Sequence, residues 1–497
     1  MKLHQLFSFF NFKTLKDEQK SWLDLDISGV FFDARQVTAN SVFVAIKGHE
    51  KDGHDFIDQA IAQGAFVLIV ENKSKVPENF PYLVIEHSDT RLFLDQLAAR
   101  FYQFPSQELI CLGVTGTNGK TSITYILEHI LNENRKLTGV MGTVNHRVGA
   151  HVWTSQMTTP DPVTLQKRLR EFVQEGAVCA AMEVSSHALD QRRVDSVHFN
   201  TVIFTNLTLD HLDYHKNMKN YFASKQRLFT EVLMSSLKQP QFAVINTDDT
   251  YGRQIQVAQD VICWTYGQKE SDFQFKITQM NYSETTFDLK TPLDNFQVTV
   301  PVCGVHSVYN VVASIAAALS CGVSLKQAID SLKSFQGVPG RLQKVITSSR
   351  KTVLVDYAHS PDALENVIKA LIEIRRQSKI SSRIITVFGC GGDRDTSKRP
   401  LMGEIATRLS DIAYVTSDNP RTENPISIIQ QIQAGISPQL KNYHVEVDRE
   451  VAIQKALAEA HDEDVVLIAG KGHEDYQIIG TEKKHFSDFE VAQKYLV

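Results

Sequence analysis

A chain of 497 residues exceeds what one hydrophobic core supports, so about three domains are expected. Charged residues make up 22% and hydrophobic residues 42%, an ordinary globular balance, and the net charge of −5 gives no basic footprint for nucleic acid or an anionic membrane surface. The longest apolar segment, "VVASIAAALSCGV", is too short to span a bilayer, "MKLHQLFSFFNFK" has no signal-peptide cleavage site, and six scattered cysteines without a C-x-x-C pair suit reduced thiols. Together these features predict a cytoplasmic protein with no membrane insertion.

In chain order, short apolar runs alternate with segments of helical period, which predicts an α/β fold with mostly parallel sheets. "SVFVAI", "FVLIV" and "YLVIE" are predicted strands and Thr90–Tyr102 a predicted helix. A break at Phe104-Pro105-Ser106 then closes a small α/β N-terminal domain over 1–105. "LICLGV" has the continuous apolar character of a central strand buried on both faces. A helix from Lys120 follows, then strands "VCAAMEV", "TVIFTNL" and "QFAVIN". Across 273–302, "FQFKITQ", "TFDLKT" and "FQVTVPV" alternate with period two and predict an antiparallel annex. Gly and Pro in "GVPGRLQ" mark the end of a central domain over 106–340. "TVLVDYA", "RIITVFG", "IAYVTS" and "DVVLIAG" then alternate with helices in a Rossmann-like domain over 341–497.

The turn between "LICLGV" and the next helix carries the chemistry. Gly116-Thr117-Asn118-Gly119-Lys120-Thr121-Ser122 resembles a P-loop, although Val114 stands where the pattern places its first glycine. A strand, a glycine turn and a helix N-terminus would still gather backbone N–H groups around a phosphate. Lys120 would meet the β- and γ-phosphates, and the Thr121 hydroxyl would ligate Mg²⁺. Glu183 and His211 both follow apolar strands, so they are expected near strand C-terminal ends, where α/β sites form. His211 and His215 are spaced four apart, but no third ligand of matching spacing suggests zinc.

The spelling "GVTGTNGKTS" resembles the Mur ligase family, which includes folylpolyglutamate synthases. "EVSSHALDQRRV", "TNLTLDHLDYH", "YFASKQRLF", "VPGRLQ", "DYAHSPDAL", "GCGGDRD", "DNPRTENP" and "GKGHEDYQ" follow in the order expected of that family. The resemblance covers nearly the whole chain. It implies an N-terminal domain for UDP, a central one for ATP and a C-terminal one for an incoming amino acid. The implied activity is ATP-dependent amide-bond formation in cytoplasmic peptidoglycan-precursor synthesis. A carboxylate of a UDP-muramoyl-dipeptide would be phosphorylated and then attacked by an amine. Transfer of a phosphoryl group is mostly positioning and charge neutralisation, so such a site needs cations and metal ligands more than a nucleophile.

By resemblance, Thr121, Glu183, His211 and Lys225 form the Mg²⁺ environment, with Lys225 carbamylated. Asn310, Arg341, Asp356 and His359 match positions near the nucleotide. Thr158, Thr159, Ser185, Gln191 and Arg193 match contacts to the muramoyl-dipeptide, with Met157 where related ligases often carry Asn. Phe32, Ala34, His49, Glu50 and Lys51 match the UDP site, Ala34 replacing a common Ser. "VFGCGGDRD" lacks the G-x-G-x-x-G spacing of a dinucleotide loop.

Asp418-Asn419-Pro420-Arg421 would be an unremarkable turn on its own. Within the resemblance it marks ligases selecting meso-diaminopimelate, and lysine-adding relatives differ at the Arg. Diaminopimelate carries a second carboxylate that a guanidinium can grip bidentately. Arg394, Gly470 and Glu474 complete the implied pocket, Glu474 suiting an ammonium. A monomer acting on small molecules is expected. A lysine-adding ligase, a folylpolyglutamate synthase and a non-catalytic nucleotide-gated binding protein are the competing readings.

Overall fold

The computed structural model describes residues 1–8, 17–48, 51–346, 351–378 and 381–496. It divides into two compact units, residues 1–272 with 313–328, and residues 273–312 with 329–497. The architecture is the mixed α/β arrangement that the alternation predicts.

The first unit holds two sheets. Val30–Phe31, Ser41–Val44, Ala65–Val70 and Leu83–Glu86 pair in chain order, all parallel. Asp89 caps the helix Thr90–Phe101 by accepting from the Leu92 N–H at 3.0 Å. That helix buries Phe93, Leu94 and Leu97 with Val42, Val67 and Ile69 of the sheet.

The larger sheet runs in the order Ile262–Gly267, Phe242–Asn246, Thr201–Phe204, Ile110–Thr115, Cys179–Glu183, Thr138–Met141, Asn145–Val148 and His151–Thr154. Its first six strands are parallel and the last two form an antiparallel hairpin. Strand order reverses at Ile110–Thr115, which lies between Thr201–Phe204 and Cys179–Glu183. The loops after these three strands therefore emerge at one edge, the place where open α/β sheets bind ligands. Pro162–Gln174 starts at an Asp161 cap with proline in its first turn, and buries Leu165, Leu169 and Phe172 at helical spacing against that sheet.

In the second unit a six-stranded sheet runs Gln343–Lys344, Thr352–Asp356, Val465–Ala469, Ile384–Cys390, Ile412–Ser417 and Tyr443–Val445, parallel except for the first. Leu354, Phe388 and Leu467 face Leu364, Ile368 and Met402 of two helices. Their neighbours Val353, Val387 and Ile468 face Ala452, Ile453 and Ala456 of the helix Arg449–Glu459. Such alternation covers both sheet faces with helices. Phe273–Met280, Thr285–Lys290 and Asn295–Val300 form the antiparallel strands predicted from period-two alternation. Among the described residues, no helix is long and apolar enough to cross a membrane.

Several elements lacked a sequence signal. The hairpin Asn145–Val148 with His151–Thr154 and the hairpin Tyr476–Ile479 with Glu482–His485 are among them. Glu482–His485 is exposed along its whole length, so no apolar alternation announces it. Backbone pairing alone defines it as a strand.

Candidate active site

Val114, at the expected first-glycine position, belongs to the strand: it is buried and pairs with Ile203 and Glu183. The turn begins at Gly116, with φ +147°, where a Cβ would run into the Thr205 hydroxyl. Gly119, φ +90°, precedes the helix Lys120–Glu133 and supplies no side-chain cap to its first turn, an arrangement that suits anion binding at a helix N-terminus. The turn is braced from the neighbouring strand end. Asn118 N–H donates to Asn206 Oδ1 at 2.9 Å, Thr205 Oγ1 donates to the Asn118 carbonyl at 2.6 Å, and the Thr117 and Tyr221 hydroxyls meet at 3.1 Å. Ser122 is half-buried one residue into the helix.

Glu183 is 1% exposed at the end of its strand. Its carboxylate accepts from the Thr121 hydroxyl at 3.0 Å, the Thr143 N–H at 2.8 Å and the Thr143 hydroxyl at 3.1 Å. All three donors are neutral, and Gly142 packs so closely that a Cβ would collide with Oε1. A buried carboxylate beside a hydroxyl is a hard-oxygen pair that fits Mg²⁺. Among the described residues no three His, Cys, Asp or Glu side chains form a metal centre. His211 is exposed, adopts φ +54° and sits 3.5 Å from Asp210. His215 is buried and its Nε2 meets Ser186 Oγ at 2.9 Å.

Lys225, on the helix Met218–Arg227, is 1% exposed. Its Nζ donates to the Gly116 carbonyl at 2.8 Å, and Lys120 Nζ donates to the carbonyls of Gly116 and Thr117, also at 2.8 Å. Burial first, and the Lys120 charge second, hold Lys225 well below the usual lysine range.

A second group adjoins Glu183. Thr158 Oγ1 meets Thr143 Oγ1 at 3.1 Å. Thr159 Oγ1 donates to the Glu183 carbonyl at 2.8 Å and accepts from the Ser185 N–H at 2.9 Å. Arg193 donates to Gln191 Oε1 at 2.7 Å, to the Thr159 carbonyl at 2.9 Å and to Met157 Sδ at 3.4 Å. Thus the departure at Met157 leaves Arg193 a weak sulfur acceptor there.

In the N-terminal sheet region Phe32 and Lys51 are exposed. Ala34 is buried with Val37, Phe43 and Ile57, where its methyl fills apolar space. His49 and Glu50 lie outside the described residues.

In the second unit the remaining candidates other than Asn310 lie at strand ends or in the loops next to them. Asn310 is half-buried on the helix Val305–Ser320. Asp356 accepts from the Leu342 and Ala358 N–H groups at 2.8 and 2.9 Å, Arg341 lies 5.0 Å over the Tyr357 ring, and His359 Nδ1 meets the Tyr357 carbonyl at 2.8 Å. Asp418, Asn419 and Pro420 are buried and Arg394 is exposed. Arg421 Nη1 donates to the Gly392 carbonyl at 2.7 Å while its backbone, at φ +52°, bonds Ile478 O and Gly480 N–H of the hairpin. Gly470 adopts φ +120° beside the Asp418 carboxylate.

The sequence did not single out Lys471. It is fully buried and donates to Asn419 Oδ1 at 3.2 Å and Glu474 Oε2 at 3.3 Å, while Asn419 Nδ2 reaches the same Glu474 oxygen at 2.9 Å. Glu474, expected to await an ammonium, therefore already has a cationic neighbour at one oxygen. Thr143 was also missed, because the strand leading to it carried no predicted signal. The buried Arg399, which grips Glu423 through two 2.8 Å bonds and so ties the 391–395 and 418–424 loops together, was a third omission.

Models of three domains match: the Mur ligase family catalytic domain over residues 26–102, the Mur ligase middle domain over 114–318, and the glutamate ligase domain over 340–472. The chain belongs to the Mur ligase family. A relative from Geobacter sulfurreducens is 42% identical over 95% of this chain and 94% of its own. One from Clostridioides difficile is 42% identical over 100% of this chain and 99% of its own. Both are named UDP-N-acetylmuramoyl-L-alanyl-D-glutamate–2,6-diaminopimelate ligase. A solved structure of a ligase with that name superimposes with a TM-score of 0.72 at 30% identity, covering 100% of this chain and 98% of the other. A MurF ligase from Thermotoga maritima, 19% identical with a TM-score of 0.58 over 97% of this chain, shares the fold.

Proposed function

We propose that this protein is the ATP-dependent ligase that adds meso-diaminopimelate to the D-glutamate of UDP-N-acetylmuramoyl-L-alanyl-D-glutamate, in cytoplasmic peptidoglycan-precursor synthesis. The observation that carries the reading is the convergence of Lys120, Lys225 and the glycine turn beside the Thr121–Glu183 pair. That arrangement supports phosphoryl transfer, and full-length relatives carry the corresponding name.

In this reading the substrate carboxylate oxygen attacks the γ-phosphorus of ATP, and ADP departs. The loop N–H groups and Lys120 neutralise charge on the transferring group, since such catalysis is largely electrostatic. Thr121 and Glu183, with His211 and carbamylated Lys225 nearby, would hold Mg²⁺, which supplies further charge neutralisation on the phosphates. The amine of diaminopimelate then attacks the acyl carbon, loses a proton, and phosphate leaves as the amide forms. Arg193, with Gln191, Thr158, Thr159 and Ser185, orients the muramoyl-dipeptide; Phe32 and Lys51, with His49 and Glu50, take the uridine end, and buried Ala34 supports that end from the apolar core.

Carbamylation of Lys225 has a physical basis. Its buried amine favours the neutral form, whose lone pair can attack CO₂ and release a proton. The product is an anion facing Lys120, which replaces like-charge repulsion with attraction. In the second unit, Asn310, Arg341, Asp356 and His359 serve the nucleotide. Arg421 and Arg394 read the distal carboxylate of diaminopimelate, with Asp418, Asn419, Pro420, Gly470 and Glu474 shaping the pocket.

The test is phosphate release from ATP with each substrate omitted in turn. Release that requires both UDP-muramoyl-dipeptide and meso-diaminopimelate, and is not supported by lysine, is expected. Release with lysine in place of diaminopimelate, or with glutamate and a folate, would replace this reading with one of its relatives.

A further inference from the structure

The strongest unexplained polar arrangement is a relay behind Arg193. Tyr214 Oη donates to Asp190 Oδ2 at 2.6 Å, Gln191 Nε2 donates to Tyr214 Oη at 3.2 Å, and Gln191 Oε1 accepts from Arg193 Nη2 at 2.7 Å and Nε at 3.2 Å. We propose that Tyr214 and Asp190 are positioning residues that anchor the Gln191 amide nitrogen, hold its oxygen against Arg193, and thereby set the affinity for the muramoyl-dipeptide. The inference rests on the reading above, in which Gln191 and Arg193 bind that substrate.

The direction of every bond follows from the first. An ionised carboxylate only accepts, so the short contact to Asp190 carries the tyrosine proton. Tyr214 Oη then presents lone pairs toward Gln191, which must answer with its amide N–H. That leaves the amide oxygen, and not its nitrogen, against the guanidinium. Rotating the amide by half a turn would set N–H groups against a cation that has no acceptor to offer. Arg193 is a donor at all five protons.

The relay matters more in this chain because of Met157. Arg193 Nη1 reaches the Thr159 carbonyl at 2.9 Å and, on its other side, only the Met157 thioether at 3.4 Å. With Nε and one Nη2 proton held by Gln191, the protons left for a substrate are the second Nη2 proton and the one on the weak sulfur contact. Those two are the protons left to meet a carboxylate or phosphate. Gln191 thus turns the fork toward an anion, and the relay turns Gln191.

Steady-state kinetics with UDP-muramoyl-dipeptide as the varied substrate test this on the full-length enzyme. Tyr214→Phe and Asp190→Ala should each raise its KM about tenfold, the size expected for losing a hydrogen bond to a charged group. KM for ATP and for diaminopimelate should stay within about twofold in both variants. Adding Gln191→Glu to either variant should lower that KM again, because a carboxylate pairs with the Arg193 guanidinium strongly enough to hold its place without the tyrosine anchor. A packing defect at 214 is not repaired at 191, so the rescue remains decisive even where Tyr214→Phe melts lower. Unchanged KM in Tyr214→Phe, or no rescue by Gln191→Glu, overturns the relay while leaving the substrate reading intact. If the wild-type enzyme does not saturate with UDP-muramoyl-dipeptide at all, the relay and the substrate reading both fall.

Discussion

Lys120 and Lys225 direct their side-chain nitrogens at one oxygen, the carbonyl of Gly116, each at 2.8 Å. Two like charges on one acceptor are tolerable only if one is absent, and Lys225, the buried member, is the one held toward neutrality. A buried amine whose proton affinity is lowered beside a cation suits carbamylation. Lys225→Ala is therefore expected to be nearly inactive and partly rescued by short-chain carboxylates such as acetate or formate. Intact-protein or peptide mass measured under mild conditions should show the added CO₂ on wild type. Full activity in Lys225→Ala would refute the role.

Lys120 has the opposite duty, to stay charged. Its removal takes away the loop's side-chain cation without touching the apolar face of the helix, where Ile123, Ile126, Leu127 and Ile130 are buried. Lys120→Ala should keep the wild-type melting temperature within a few degrees. It should lose on the order of 10²-fold or more in turnover, as removing one electrostatic partner of a transition state does. Near-normal turnover in the folded variant would remove the phosphate-loop assignment.

Arg421 is held at φ +52°, a conformation that favours glycine. This separates backbone strain from recognition. Arg421→Gly should retain or slightly raise thermal stability, by up to about 1 kcal/mol. It should also lower kcat/KM for diaminopimelate by roughly 10²- to 10³-fold and narrow the gap to lysine, because an unpaired buried charge costs about 3–5 kcal/mol. Measuring kcat/KM for both amino acids on wild type and variant decides it. An unchanged ratio would show that Arg421 is not the selector.

His146 is buried in the strand Asn145–Val148 and neither ring nitrogen has a hydrogen-bond partner among the described residues. Burial, with the nearby Arg168 charge, pushes it down to about 4. The folded state thus binds this proton less readily than the unfolded chain. Its contribution is fully present above the ordinary histidine value near 6.5 and is lost as pH falls toward 4. The difference is on the order of 2 kcal/mol at pH 5. Denaturant unfolding at pH 7.5 and pH 5 should show the loss in wild type and a smaller one in His146→Phe. Equal pH dependence of the two would refute the assignment.

What local pattern determines was readable without coordinates. The apolar run before Gly116, the paired glycines, and the Lys-Thr after them specify a strand, a turn and a helix N-terminus, because each requirement is met within a few residues. The period-two segments after Phe273 likewise announce an antiparallel sheet. Lys225 shows the limit of such reading: its own sequence context is an ordinary polar helix, and only tertiary packing buries it against Gly116 and, through that burial, holds it well below the usual lysine range. Val114 is similar, since pairing with Ile203 and Glu183 extends the strand past the expected first glycine and moves the turn to Gly116. Lys471, Thr143 and the Asp190–Tyr214–Gln191 relay depend on contacts between separate segments, and the exposed strand Glu482–His485 exists because a partner strand pairs with it. Periodicity and turn chemistry act over a few bonds and are written in neighbouring residues. Burial, charge pairing and hydrogen-bond direction depend on which distant segments meet, and the tertiary structure alone decides that.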